Sequence, residues 1–146
     1  MRNRKTLFSS LFIALFLCTI QAFAADWYVS DATGNNGNNG NSWGTAKKTI
    51  MAAVTASSTG DNIFIEGGTY QEQVVIGDKS LNIVGSQNGG GRTTIASPAW
   101  GVMTTYSLPS DLVWTGAGKL TGSDLKPIVF VNPSNDSYTV NISGID

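Results

Sequence analysis

The chain has no histidine, a single cysteine and few charged residues among its 146 residues. Without histidine it can form neither a Ser-His-Asp nor a Cys-His catalytic group, nor a histidine-ligated zinc site. The lone cysteine, Cys18, forms neither an internal disulfide nor a four-cysteine metal site. A charged fraction of 13% is too low for a coiled coil or another charge-rich helical protein. The 17 glycines and many asparagines instead favour one β-rich domain with many turns.

Residues 1–24 have the three parts of a secretory signal peptide. A basic start is followed by a mainly apolar run over residues 7–20. Ala22 and Ala24 match the small residues that signal peptidase requires, which predicts cleavage before Ala25. An uncleaved anchor helix is the alternative, but it needs roughly 20 apolar residues. Lipid attachment at Cys18 is disfavoured because bulky Phe16 and Leu17 precede it.

Cleavage would leave 122 of the 146 residues, with 6 basic and 10 acidic side chains and a net charge of −4. Because Cys18 leaves with the leader, the mature chain has no disulfide and depends on apolar packing. Its mild acidity argues against a nucleic-acid partner. We expect no membrane span after cleavage, and a location outside the cell, on its surface or in a periplasm.

Residues 25–60 predict a strand, a loop and one helix. Trp27–Val29 is a short strand candidate, and residues 34–41 consist only of glycine and asparagine. An EF-hand pattern starting at Asp31 fails at Asn36 and Ser42, so we expect no cofactor, with an irregular Ca²⁺ site as the alternative. A narrow apolar stripe predicts a helix from about 46 to 57, with Thr45 as its N-cap. The stripe consists of Ala46, Ile50, Ala53, Val54 and Ser57.

Residues 61–146 change to short β-branched segments that end at glycine, asparagine, aspartate or proline. The predicted strands are 62–66, 73–76, 81–84, 93–95, 128–131 and 139–142. Their short length and a repeat of roughly 20 residues favour a parallel β-solenoid over a sandwich of hairpins. The predicted inward residues are Ile63, Ile65, Val74, Ile76, Leu81 and Ile83. The helix would then cover the first coil.

A series of short motifs follows in a specific order between Trp27 and Ile95. It includes Trp-Tyr-Val-Ser at 27–30, Ser-Trp-Gly-Thr at 42–45, Gly-Asp-Asn-Ile at 60–63 and Leu-Asn-Ile-Val-Gly at 81–85. This order resembles the start of secreted right-handed parallel β-helix proteins of the pectin-lyase-like superfamily. Residues 49–85, with Gly-Thr-Tyr-Gln-Glu at 68–72, are similar to the opening of pectin methylesterases. The resemblance implies an all-β fold, a right-handed parallel β-helix with an N-terminal capping α-helix, of which this chain carries the first few coils.

The resemblance does not extend to catalytic residues. In pectin methylesterases an aspartate pair, an arginine and glutamines lie in later coils, and nothing in this chain matches them. We therefore assign no catalytic residue. Residues 97–126 read as a long insertion before the strand at 128, and the segment after 139 reads as the opening of another coil. We expect a chain truncated after Asp146.

Several residues are candidates for chemistry or binding. The carboxylates of Asp61, Glu66, Glu72 and Asp78 fit turns and solvated faces better than acid–base catalysis, and Arg92 fits a solvated loop. Tyr70 and Glu72 match the first coil of the family, where they would hold the bend. Trp43 is expected to pack near the helix. Aromatic rings stack on sugars, so the candidate ligand-binding residues are Trp100, Tyr106 and Trp114 in the insertion, with a core of that loop as the alternative.

Two functional classes remain open. The first is a secreted or cell-surface β-helix, non-catalytic in this segment, that contacts polysaccharide or surface glycans or serves adhesion. The second is the N-terminal portion of a pectin-active enzyme, a pectinesterase or polysaccharide lyase, whose catalytic coils lie beyond residue 146. If the protein is an enzyme, we expect a carbohydrate esterase or a polysaccharide lyase.

Overall fold

The computed structural model describes residues 23–89, 91–98, 103 and 128–146. These residues form eight short strands, one α-helix and one turn of 3₁₀-helix at Trp43–Thr45. The strands are β1 (Asp26–Val29), β2 (Asn62–Glu66), β3 (Gly68–Gln71), β4 (Val74–Ile76), β5 (Leu81–Gln87), β6 (Thr93–Ala96), β7 (Val129–Val131) and β8 (Val140–Ser143), and the helix is α1 (Ile50–Ala56). Within this part of the chain, no helix has the length and apolar character needed to cross a membrane.

Every strand pair is parallel, and the strands form three separate sheets. The largest sheet has the order β1-β2-β5-β8, while β3 pairs with β6 and β4 pairs with β7. The three consecutive strands β2, β3 and β4 therefore each receive a partner from the later series β5, β6 and β7. The fold is strand-rich with parallel sheets and one helix, as the sequence predicts.

The interior is built from every second residue of the strands. In the largest sheet Trp27, Ile63, Ile83 and Ile142 occupy one register position. The six residues predicted to point inward are all buried, at 2% exposure or less. This prediction is confirmed because alternation along a strand assigns each side chain to a face without reference to the partner strand.

The helix differs in extent from its prediction. It begins at Ile50 with Thr49 as N-cap, whose side chain accepts a hydrogen bond from Ala52 N–H, so the predicted start near 46 and the cap at Thr45 are wrong. The backbone of Ala46 is extended, and Lys47 forms a parallel bridge to Val29 on the outer edge of β1. The backbone groups of Lys47 bond to β1 and are therefore not available for helical hydrogen bonds.

The edge of β1 is covered on its outer side by the glycine–asparagine loop and the segment after it. Tyr28 N–H donates to the Gly40 carbonyl at 2.8 Å, and Lys47 N–H donates to the Tyr28 carbonyl at 2.8 Å. The helix packs against β1, β2 and β4 and buries Ile50, Ala53 and Val54. Loop and helix together therefore cover the N-terminal strands, where the prediction gave this role to the helix alone.

A strand that the sequence did not predict lies at Gly68–Gln71. Gly67 and Gly68 were expected to end the preceding strand, but Gly68 pairs with Thr93 and starts β3. The segment has one buried apolar side chain, Tyr70, so it lacks the β-branched pattern of the other strands. The predicted leader up to residue 22, and most of the predicted insertion at 97–126, lie outside the described residues.

Candidate functional site

The outward side chains of the four-stranded sheet form two parallel rows, here called the outer face. Alternation along the strands assigns to this face Asp26, Tyr28, Asn62, Phe64, Asn82, Val84, Asn141 and Ser143. Each strand contributes one polar residue and, two positions later, one residue of a second row. Neighbouring rungs of a sheet are about 4.8 Å apart, so each row is a regular ladder of side chains.

The polar row consists of Asp26, Asn62, Asn82 and Asn141 at one register position. Asn62 Nδ2 donates to Asp26 Oδ1 at 2.8 Å, and Asn82 Nδ2 donates to Asn62 Oδ1 at 3.2 Å. Asn82 and Asn141 are exposed. Each amide carries two donors and an acceptor, so the row retains hydrogen-bonding capacity toward solvent or a ligand.

The second row is aromatic at its N-terminal end. Tyr28 and Phe64 are register partners whose ring centroids lie 5.6 Å apart. Trp43 extends the row, with its ring 4.9 Å from that of Tyr28 in an edge-to-face arrangement. All three rings are half-buried. The ring contact shown for Trp43 is thus with Tyr28, whereas the sequence predicted packing near the helix.

The two rows give the outer face a combination that suits sugars. Half-exposed rings supply apolar surface for the C–H face of a pyranose, and a neighbouring line of amides can bond its hydroxyl groups. Residues two apart on a strand are separated by about 6.6 Å, so both rows lie within reach of one sugar unit. Sequence reasoning missed this face, although the dipeptide Asn-Ile recurs at 62–63, 82–83 and 141–142.

The carboxylate of Asp61 is buried and is used by the fold. It accepts hydrogen bonds from Ala25 N–H at 2.8 Å, Ser58 N–H at 2.8 Å and the Trp27 indole at 2.9 Å. Burial by itself raises the pKa of Asp61, but these donors and the charge of Lys79 together outweigh burial and hold the pKa below its ordinary value. Asp61 is therefore a buried anion that lies in the turn before β2 and has three partners, so of the two predicted settings, a turn or a solvated face, it has the first.

Glu72 binds the start of α1. Its two carboxylate oxygens accept hydrogen bonds from Ile50 N–H and Met51 N–H, both at 2.8 Å. Burial raises the pKa of Glu72 despite these two donors, and the nearby charge of Asp31 raises it further. Glu72 was expected to hold a bend. Its contacts are structural, and they join the residue after β3 to the start of the helix.

The other two carboxylates also bind neighbouring segments. Glu66 accepts hydrogen bonds from the Ser30 hydroxyl and from Asn88 Nδ2. Asp78 is exposed and accepts from Ser134 N–H in the loop after β7. All four carboxylates that the sequence singled out therefore have partners within the fold.

Tyr70 and Arg92 have local partners as well. The Tyr70 hydroxyl donates to the Glu66 carbonyl at 3.0 Å and accepts from Asp31 N–H at 3.2 Å. Burial raises the pKa of Tyr70 to about 12, so it is a neutral structural group at physiological pH. Arg92 has an exposed side chain that forms an ion pair with Asp146.

A polar cleft of about 340 Å³ lies beside β3 and is a concave alternative to the outer face. The exposed ion pair between Lys48 and Asp31, at 3.2 Å, stands at its rim. Tyr70 and Glu72 form part of its wall, but their polar atoms already bond to the fold. A ligand in the cleft would therefore compete with the bonds that already hold these two side chains.

The glycine–asparagine loop contacts a cation of the chain itself. Lys47 Nζ donates hydrogen bonds to the carbonyl oxygens of Asn36 and Asn38. In the described residues, no group of three or more cysteine, aspartate or glutamate side chains is arranged to hold a metal ion. Two of the loop oxygens that an irregular Ca²⁺ site could use therefore bind the ammonium group of Lys47.

The predicted ligand residues Trp100, Tyr106 and Trp114 lie outside the described residues, so they stay predictions. Comparison with known proteins yielded no match among family models, curated proteins or solved structures.

Proposed function

We propose that the chain is a secreted, right-handed parallel β-helix segment whose outer face contacts polysaccharide. The observation that carries the proposal is the pair of ladders on that face, an aromatic row beside an amide row in register. A polysaccharide is itself a regular chain of rings and hydroxyl groups. A repeating face can therefore bind several units weakly, and their contributions add along the polymer.

The β-helix part of the proposal is supported by strand order. β2, β3 and β4 follow one another along the chain, and β5, β6 and β7 pair with them in the same order. Asn62 and Asn82 are register partners 20 residues apart, which fits one coil of a solenoid. Right-handed connections between parallel strands are favoured by strand twist in about 98% of cases, which supports the proposed handedness.

Secretion is supported by the predicted leader and by the position of β1 just after the predicted cleavage site. Residues 1–24 carry the signal-peptide pattern, and β1 starts at Asp26, two residues after the predicted cleavage position. The proposal therefore makes residues 25–146 the functional part of this chain.

Affinity electrophoresis through gels containing pectin, homogalacturonan or a neutral glucan tests the proposal. We expect the protein to be retarded by at least one polymer, and the double variant Tyr28→Leu with Phe64→Leu to lose most of that retardation. Leucine keeps apolar bulk but removes the rings. Phe130→Leu is the matched control because Phe130 lies outward on β7, in a different sheet, and it should leave binding unchanged.

The same assay compares the outer face with the insertion. If Trp100→Ala and Trp114→Ala abolish binding while the Tyr28 and Phe64 variants bind normally, the insertion is the contact site and the outer face is not. If no polymer retards the wild-type protein, the polysaccharide proposal fails.

A second candidate is the N-terminal portion of a pectin-active enzyme. It is favoured by exposed apolar residues on the last strands. Ile142 is 44% exposed and Val131 is 42% exposed, whereas their register partners Ile83 and Ile76 are buried. A further coil would cover them. Methanol release or unsaturated products from pectin, measured on a longer form of the protein, test this candidate, and we expect the present chain alone to be inactive.

A further inference from the structure

The carboxylate of Asp61 lies beside Ala25, near the start of the described residues. Asp61 is 4% exposed, and one of its three hydrogen-bond donors is the backbone nitrogen of Ala25, at 2.8 Å from Oδ1. The Ala25 carbonyl in turn accepts a hydrogen bond from Asn62 N–H at 2.9 Å. Of the described residues, Ala25 is the first that is bonded to the sheet.

The two described residues before Ala25 are exposed and belong to no strand. Phe23 is 88% exposed, and neither Phe23 nor Ala24 belongs to a strand. The predicted signal peptidase site falls between Ala24 and Ala25. Hydrolysis there consumes one water molecule, leaving a carboxylate on Ala24 and an amino group on Ala25 that is mostly protonated at neutral pH.

We propose that removal of the signal peptide completes an ion pair between the new α-ammonium group of Ala25 and the carboxylate of Asp61. The inference rests on the proposed secretion of the chain. Before cleavage the Ala25 nitrogen is an amide, which donates one hydrogen bond and has no charge. Cleavage places a positive charge at the same position, against a carboxylate shielded from water, where Coulomb attraction is stronger than at an exposed site. The processed chain therefore gains a contact between β1 and the turn before β2.

Among the described residues, two other charged groups bear on this pair and can be controlled. Lys79 acts on Asp61 from the turn after β4 and favours its ionised form. Asp26 follows Ala25 directly, and its carboxylate accepts a hydrogen bond from the Asn62 side chain on the outer face. Asp26 therefore offers a matched substitution, one that removes the same charge from the next residue but leaves the Asp61 contact intact.

The first step of the test establishes the N-terminus. The full chain is produced in an exporting bacterial host, and the exported protein is characterised by intact mass and N-terminal sequencing. We expect a start at Ala25. A retained leader or another start would overturn the inference at its processing step, and a retained leader would also contradict the proposed secretion.

The second step measures the α-amino group directly. Competitive acylation across pH, read by mass spectrometry of the N-terminal peptide, gives its pKa and its reactivity. A free α-amine has a pKa of about 7.7–8.0, and the ion pair should raise this value by about one unit or more. At pH 7 the wild-type amine should then react at least about fivefold more slowly than in Asp61→Asn. Asp26→Asn should stay within about twofold of wild type, and equal reactivity in wild type and Asp61→Asn would overturn the ion pair.

A third protein keeps the test decisive if Asp61→Asn does not fold. One glutamine inserted between Ala25 and Asp26 keeps Ala22 and Ala24 as the cleavage pattern and leaves Asp61 unchanged, but it moves the α-amino group one residue away. We expect its amine to react like an ordinary one, with a folded protein of lower Tm. Wild-type protection of the amine in this insertion variant would contradict the proposal, whereas the start found in the first step would be unaffected.

Discussion

Glu72 and Lys79 bind opposite ends of the helix α1. Glu72 accepts hydrogen bonds from Ile50 and Met51 at the N-terminus, and Lys79 Nζ donates to the carbonyls of Val54 and Ser57, both at 2.7 Å, at the C-terminus. The negative and positive groups match the signs that the helix dipole favours at each end. A helix of seven residues is too short to be stable alone. These two side chains, which flank β4 in the sequence, hold α1 against the sheet.

Replacing Lys79 with methionine should destabilise the protein by about 1–2 kcal/mol. Methionine keeps an apolar stem but leaves the carbonyls of Val54 and Ser57 without their cation. The free energy of unfolding, from urea denaturation, is the measurement. Lys48→Met is the control because the Lys48 side chain is 52% exposed, and it should change stability by less than about 0.5 kcal/mol. Equal losses in the two variants would contradict a specific role for Lys79.

Replacing Glu72 with glutamine should alter how stability depends on pH. The folded state raises the pKa of Glu72 above 4.5, chiefly through burial. A raised pKa means that the contribution of this group is complete below pH 4.5 and is lost as pH rises through the folded value. Glutamine does not titrate.

The stability advantage of wild type over Glu72→Gln should therefore be larger at pH 3.5 than at pH 7. Urea denaturation of both proteins at the two pH values measures it, and groups common to both cancel in the difference. An advantage that grows toward pH 7 would show that the hydrogen bonds from Ile50 and Met51 outweigh burial.

Gly85→Ala should destabilise the protein by about 1–3 kcal/mol. A Cβ atom at this position would lie 2.3 Å from the backbone carbonyl oxygen of Gly144, so β5 and the segment after β8 would have to separate. Gly77→Ala is the matched control, since a Cβ there meets no atom within 4 Å. Thermal unfolding should show a lower Tm for the first variant and an unchanged or slightly higher Tm for the second. A common Tm for both would contradict this close approach.

Ile83→Ala and Ile142→Ala should differ although the two residues are register partners. Ile83 is 2% exposed, and its truncation should cost about 2–5 kcal/mol. Ile142 is 44% exposed in this chain, so its truncation should cost less than about 1 kcal/mol. Urea denaturation measures both. If a longer form of the protein adds a strand over β8, the loss of stability in Ile142→Ala should rise toward that in Ile83→Ala. A large loss for Ile142→Ala in the present chain would contradict the exposed position of Ile142.

The strands and their buried faces could be predicted because the signals are local. β-Branched residues alternate in segments such as 62–66, and glycine, asparagine or proline ends most of them. The strand β3 was missed because its sequence, Gly-Thr-Tyr-Gln, has a single apolar side chain and becomes a strand only through pairing with β6. The helix was predicted four residues too long at its start because the bond of Lys47 to β1 competes with helix formation.

The outer face was missed for a related reason. Tyr28, Phe64 and Trp43 are far apart in the sequence, and only the register of β1 with β2 brings two of the rings together. Asparagine at 62, 82 and 141 gave a signal, since Asn-Ile recurs on successive strands, but its meaning depends on parallel pairing.

By itself, the sequence determined seven of the eight described strands and which of their side chains point inward. These properties follow from alternation, turn residues and composition, which act over a few neighbouring residues. Only the tertiary structure decided that Asp61 accepts a hydrogen bond from Ala25 N–H and that Glu72 and Lys79 bind the ends of α1. It also decided that the asparagines of the outer face form one row. Those contacts join residues 20 or more positions apart. They are fixed by the parallel pairing and packing of the strands, which no local pattern encodes.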